Sequence, residues 1–438
     1  MSFSMTYPEA LSYLGETRRF GMKLGLDSMR DLARRLGEPQ KKLRFIHLAG
    51  TNGKGSTAAF CESCLRAAGF RVGLYTSPHL VSVRERFQIN REFISEADFV
   101  EGMSVVRKAV AQSHQQEPTF FEITTALALW YFARDKVDWV VWETGLGGRL
   151  DATNIVDPEV CIITNIGLEH QQYLGGTLKQ IAAEKAGIIK RSVPVVSAVE
   201  NEEACEVLVD HAKAGQCALT IINRDMEVKA LGLREGKQMA EIDGQEFAFG
   251  LIGSHQVSNA ACAIRAMRLI QVANEAIAYG LSSTIWPGRF EILSEKPLIV
   301  LDGAHNPAGM EKLVETWRAF LAERKIDSLA HLVFASVADK DISEMAQLLR
   351  PIVKKVSLVR LASERTAEPA KLAESFSGLP CAIYTSVTDW WRKMEQLDPA
   401  CPVLITGSLF LVGEMLARRH GDAGEYELNE RLEKLSVK

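Results

Sequence analysis

The sequence predicts an α/β protein of two domains, a mostly parallel sheet built around a phosphate loop and a second, smaller Rossmann-like α/β domain. Three observations carry this reading. Short apolar runs alternate with longer helical patterns through most of the chain, as parallel strands joined by crossover helices do. The first strong run, LRFIHLAG, opens into a glycine-rich turn and then a helical pattern. A fresh series of strands begins at TIWPGRFEIL, where Pro287 and Gly288 interrupt the chain. At 438 residues the chain is too long for one ordinary domain, and the division is drawn at 1–289 and 290–438.

In order, residues 43–50 read as a buried strand and 56–68 as the helix behind it. Runs at 70–76, 138–143, 159–164 and 193–198 read as further strands. Helical patterns cover 95–112, 121–134, 178–187 and 202–214. Between about 222 and 250, short polar alternations with Gly and Asp predict antiparallel hairpins on the edge of the first domain. A helix follows at 256–272. Strands of the second domain are expected at 298–302, 331–336, 355–360 and 402–407, separated by helices. The charged tail after Gly421 reads as a solvated helix or a partly disordered end.

Composition narrows the class. Hydrophobic residues make up 47% and charged residues 24%, the balance of a soluble globular protein with full cores. A formal net charge of -4 gives no general pull toward nucleic acid or anionic membrane. No apolar run approaches the roughly 20 residues of a membrane span. The opening stretch MSFSMTYPEALSYLGETRRFG carries Glu9 and Glu16 and is not expected to act as a signal peptide. A cytoplasmic protein is the expectation. Of eight cysteines only Cys61 and Cys64 are close, at helical i, i+3 spacing, and no second pair completes a zinc set. Buried, reduced thiols are expected there.

The chemistry starts at Gly50-Thr51-Asn52-Gly53-Lys54-Gly55-Ser56, between a strand and a helix. Glycines let backbone N–H groups converge on phosphate oxygens, Lys54 supplies a point charge, and the helix N-terminus adds its dipole. The strict P-loop pattern fails, because Leu48 stands at its first Gly and Gly55 follows the lysine. Glu143 ends the strand DWVVWE, where open parallel sheets place their ligands.

The displaced loop GTNGKGS resembles that of the Mur-ligase superfamily, particularly its folylpolyglutamate and dihydrofolate synthase branch. TSPHL (76–80), ETGLGGRLDATN (143–154), ITNIGLEHQQYLGGTLKQIAAEKAGIIK (163–190), WPGRFEIL (286–293) and LDGAHNPAG (301–309) agree in order. With FGMKLGLDSM near the start and TGSLFLVGE (406–414) near the end, the likeness spans nearly the whole chain. It implies an ATPase domain of the Mur-ligase type followed by a glutamate-binding domain. The implied reaction is ATP-dependent addition of L-glutamate to folates, and to dihydropteroate, through an acyl phosphate.

The resemblance also implies the site. Ser77, Glu143 and His170 would hold magnesium, with manganese as a substitute. Lys185 matches a lysine that is carbamylated in related ligases and would serve a second magnesium. Arg289 would lie against the ATP phosphates, Asp302 would orient the ribose or the inter-domain loop, and His255 and Asn259 would meet adenine. His305, Asn306 and Ser408 are candidates for the incoming glutamate, with Lys54, Lys185 and His305 as the catalytic set. The pterin is expected near Phe121, Asp151 and Thr153, since an aromatic face stacks the ring and a carboxylate accepts its N–H groups. Glu169 stands where the family usually has Asp, and Thr144 where it usually has Val. The family's usual form is a monomer.

Two rivals make different predictions. A Mur-type enzyme acting on a cell-wall nucleotide precursor carries an N-terminal domain of about a hundred residues, for which the stretch before Gly50 leaves no room. A P-loop switch protein needs Lys-[Ser/Thr] in its loop, which Gly55 breaks.

Overall fold

The computed structural model describes residues 5–21, 25–113 and 117–421. The tail after Gly421 and part of FGMKLGLDSM lie outside the described residues.

The first sheet contains β1 (Phe45–Ala49), β2 (Val72–Tyr75), β3 (Phe87–Ile89), β4 (Glu92–Phe93), β5 (Trp139–Glu143), β6 (Val160–Ile163), β7 (Val195–Ser197) and β8 (Leu219–Ile221). Their order is β4-β3-β2-β5-β1-β6-β7-β8. All pairings are parallel except those of the β3–β4 hairpin. Every residue of β1 is buried, since helices cover both faces. β1 lies between β5 and β6, so its C-terminal loop emerges beside theirs.

On one face, the helices Lys54–Ala67, His255–Leu269 and Asn274–Ser283 share a core with a separate antiparallel sheet. That sheet is β9 (Val228–Arg234), β10 (Lys237–Ile242) and β11 (Gln245–Phe249). The hairpins therefore form, but not on the edge of the parallel sheet. Alternation places Ala240, Ile242, Phe247 and Phe249 in that common core, so they pack beside Phe60 and Cys61. The helix expected over 256–272 ends at Leu269 and a second helix follows. Cys61 and Cys64 are free and buried, and burial pushes both thiols up. The opposite face packs Tyr75, Trp142 and Phe132 with the helices Tyr7–Glu16, Asp27–Arg35, Glu96–Ala111 and Phe120–Arg134.

The second sheet comprises β12 (Glu291–Glu295), β13 (Leu298–Leu301), β14 (Ala330–Phe334), β15 (Val353–Val359), β16 (Cys381–Tyr384) and β17 (Val403–Thr406). Its order is β12-β13-β17-β14-β15-β16, and only β12 runs antiparallel. The fold class is the one the sequence predicts, two mostly parallel α/β sheets in series. Among the described residues no helix is long and apolar enough to cross a membrane.

Candidate active site

Loops from the C-terminal ends of β1, β2, β5 and β6 face loops from the second sheet. The loop after β1 is fastened to the end of β6. Thr51 N donates to Asn165 O (2.9 Å), Asn52 N to Asn165 Oδ1 (2.7 Å), and Thr164 Oγ1 to Asn52 O (2.7 Å). Gly53 has φ +83°, and a Cβ there would stand 2.4 Å from Asn259 Oδ1. Gly55 faces the Trp286 indole, whose Nε1 would be 3.0 Å from a Cβ. The loop thus presents bare backbone at the N-terminus of the helix Lys54–Ala67, the arrangement that receives phosphate. Lys54 Nζ donates to Gly50 O (3.0 Å) and Thr51 O (3.3 Å). Lys185 Nζ donates to the same Gly50 oxygen (2.8 Å).

Glu143 is 3% exposed at the end of β5, and its carboxylate accepts from Ser77 N at 3.1 Å. Burial drives its carboxyl up to about 7, against the pull of Lys54, the Ser77 amide, Arg289 and Arg86. A cation bound there would restore the ionised form. His170 follows β6 in a left-handed conformation at φ 52°, and burial lowers its imidazole to about 4. Among the described residues no three His, Cys, Asp or Glu side chains cluster as ligands. A carboxylate and a hydroxyl are the oxygen donors a hard cation takes, while an imidazole is a softer donor.

At the domain junction, Arg289 carries its charge toward Glu143. His305 Nδ1 lies 2.8 Å from Gly303 O. Asn306 caps the helix Pro307–Glu323, with its Oδ1 accepting from Gly309 N, and its Nδ2 reaches Asn52 Oδ1 at 3.4 Å. Ser408 caps the helix Leu409–His420.

These elements enclose a cavity of about 340 Å³. Its lining includes Thr51, Asn52, Gly53, Lys54, Gly55, Ser77, Phe121, Glu143, Asp151, His170, Arg289, His305 and Ser408. Gly50 and Lys185 line a small adjoining pocket of about 30 Å³. Other expected residues, Asn306 and His255 among them, do not line either space. Ser56 is buried in the first turn of its helix. Asn259 packs on Gly53 and donates to Gln256 Oε1. Both Asp302 oxygens are occupied by backbone, accepting from Phe290 N (2.9 Å) and Ala304 N (2.8 Å), so Asp302 braces the inter-domain loop. Thr153 is fully buried and bonded to Asp151 and His47, which removes it from direct pterin contact.

Sequence reasoning missed Lys340 and Arg365, both in the cavity wall. Lys340 Nζ lies 3.5 Å from Glu169 across the domains. Burial raises the Glu169 carboxyl, but His170, His305, Lys340 and Lys54 more than offset it and hold it below its ordinary range. A lone lysine in VADKD gives no signal before the partner is known.

The middle domain of Mur ligases matches residues 48–267, and the Mur-ligase glutamate ligase domain matches 288–409. The chain is 38% identical to the dihydrofolate synthase/folylpolyglutamate synthase of Bacillus subtilis over 94% of its length and 99% of that protein. The chain belongs to the folylpolyglutamate synthase/dihydrofolate synthase family. Among solved structures, Thermotoga maritima folylpolyglutamate synthase superposes with TM-score 0.85 at 33% identity, covering 96% of this chain and 98% of that one. Escherichia coli FolC in complex with DHPP and ADP superposes with TM-score 0.84 at 30% identity, covering 95% and 98%. Family membership makes this chain an ATP-dependent ligase.

Proposed function

We propose that this ligase adds L-glutamate to folates and to dihydropteroate, with residues 1–289 binding ATP and the pterin acid and 290–438 receiving glutamate. One observation carries the reading. A single cavity is walled on one side by the phosphate loop, Glu143 and Phe121, and on the other by His305 and Ser408, with Arg289 at the junction between them. The activated acid and the attacking amine must meet in such a space. The B. subtilis relative bears the names of both activities.

A carboxylate is a poor acyl donor, because its leaving group would be oxide. Transfer of the ATP γ-phosphoryl group to it gives an acyl phosphate with phosphate as leaving group, which the neutral glutamate amine displaces. Lys54 and Arg289 stabilise the charge that develops on phosphate and carbonyl oxygens. Phe121 offers the pterin a ring face in the cavity wall, while His305 and Ser408, in the same wall, receive the glutamate and Asn306 holds the loop beside them to Asn52. Ser77, Glu143 and His170 would hold magnesium or manganese, and Lys185, carbamylated, a second ion. A bound divalent cation neutralises phosphate oxygens. The enzyme acts as a cytoplasmic monomer.

ADP release with ATP, magnesium and glutamate, comparing dihydropteroate with tetrahydrofolate, tests the reading. Turnover dependent on a pterin acid and on glutamate is expected. Nucleotide consumption indifferent to both would overturn it.

A further inference from the structure

His47 sits in the middle of β1, fully buried, and enters no step above. Its Nε2 lies 3.1 Å from Thr153 Oγ1, while among the described residues its Nδ1 is buried without a partner. An unsatisfied nitrogen in the central strand of a sheet calls for a reason, since an apolar residue would pack there without it.

The hydrogen bonds supply the reason. Asp151 Oδ1 accepts from Thr153 N (3.0 Å) and Thr153 Oγ1 (2.5 Å). Its Oδ2 accepts from Gly145 N (3.0 Å) and Leu146 N (2.8 Å). Burial raises the Asp151 carboxyl above its ordinary range, against these four donors. Three of them are backbone N–H groups that can only donate, and with both oxygens already accepting the Thr153 hydroxyl proton points to Asp151. That hydroxyl has no second proton, and His47 must therefore donate from Nε2. Trp142 Nε1 fixes the same residue by donating to Thr153 O at 3.0 Å. Burial and the Lys190 charge lower the imidazole to about 3, which keeps it neutral. At the far end of the chain of bonds, Gly145 lies under Phe121, whose Cζ would be 2.6 Å from a Cβ there.

We propose that His47 and Thr153 are positioning residues for the acid substrate. Through Asp151 they hold Gly145 and Leu146, and through Gly145 they set the seat of the Phe121 ring. The role rests on the reading of Phe121 as the pterin face.

The test uses the full-length enzyme. Thr153→Val should raise KM for the pterin acid about tenfold, the effect of one hydrogen bond to a charged group, with KM for ATP changed less than about twofold. Thr153→Ser should restore the pterin KM. An equal rise in both constants, or none, overturns the positioning role. Nitrogen-15 NMR of the wild-type imidazole needs no variant to fold. It should show His47 protonated at Nε2, and a proton on Nδ1 defeats the argument. Direct pterin binding without turnover separates the two readings. A wild type that binds none sinks the functional reading together with this role, whereas equal binding by wild type and Thr153→Val sinks this role alone.

Discussion

Lys185 and Lys54 converge on the Gly50 carbonyl, and their fates differ because Lys185 is only 3% exposed. Burial first, then the Lys54 charge, lowers its amine to about 7, against the pull of Glu169 and Asp151. A large neutral fraction near physiological pH is what carbamylation requires. Labelled bicarbonate should therefore give a carbamate carbon signal in the wild type, and none in Lys185→Arg. His47 gives a second expectation. Its folded value is about 3 against an ordinary 6.5, so below 6.5 the unfolded chain takes up a proton that the folded one refuses. The stability of wild type relative to His47→Gln should be constant above 6.5. It should then fall by about 1.4 kcal/mol per pH unit as pH drops toward 3. Urea midpoints across that range measure it, and a flat difference would mean the imidazole titrates normally. Lys54 and Glu143 were legible in the sequence because each sits inside a motif, Lys54 at the start of a helix that follows a strand and Glu143 at the end of a strand. The His47 link was not, since Asp151 and Thr153 share one turn at i, i+2 spacing but His47 lies on β1, about a hundred residues earlier, and no spacing rule joins it to them.

The helix Phe120–Arg134 shows how an element carries function. Thr119 Oγ1 accepts from Glu122 N and Glu122 Oε2 accepts from Thr119 N at 2.7 Å, a complete capping box inside the cavity wall. Thr119→Ala should cost about 1 kcal/mol of stability. Because Phe121 rides in that first turn, KM for the pterin acid should rise as well. Unchanged substrate affinity with the stability loss would show the cap to be structural only. The phosphate helix answers a question the sequence posed. Its departure from the strict loop pattern at Gly55 was visible, but the cause was not. Trp286 occupies the space a side chain would need. Arg91 lies over that indole at 5.1 Å and donates to Ile285 O at 2.8 Å, pinning the linker. Gly55→Ala should push Trp286 aside by a few tenths of an ångström, and altered tryptophan fluorescence together with a raised ATP KM would register the change.

Across the whole molecule, the central strands of the two sheets were readable from alternation, while the edge strands β8 and β16 were not. The covering three-stranded sheet was readable as strands but not in its position, because hairpin signals are local and the surface they cover is not. The short β3–β4 hairpin went unread, having too few residues to show a period. The domains touch through Lys340–Glu169 and Asn306–Asn52. Movement about the linker beginning at Thr284 should exclude water from the acyl phosphate. Scattering curves with ATP and pterin acid should differ from those without, and superimposable curves would remove closure from the mechanism. Lys54→Ala should abolish turnover with the fold intact. Full activity in that variant would take the loop out of the reaction.

The Lys54 ammonium, set at the N-terminus of its helix, concentrates more positive charge than the Gly50 and Thr51 carbonyls answer. Small oxyanions in the buffer then compete for this spot before any nucleotide arrives. Phosphate or sulfate should raise the apparent Michaelis constant for ATP where chloride at equal ionic strength does not. Assay medium thus becomes a chemical variable for this enzyme.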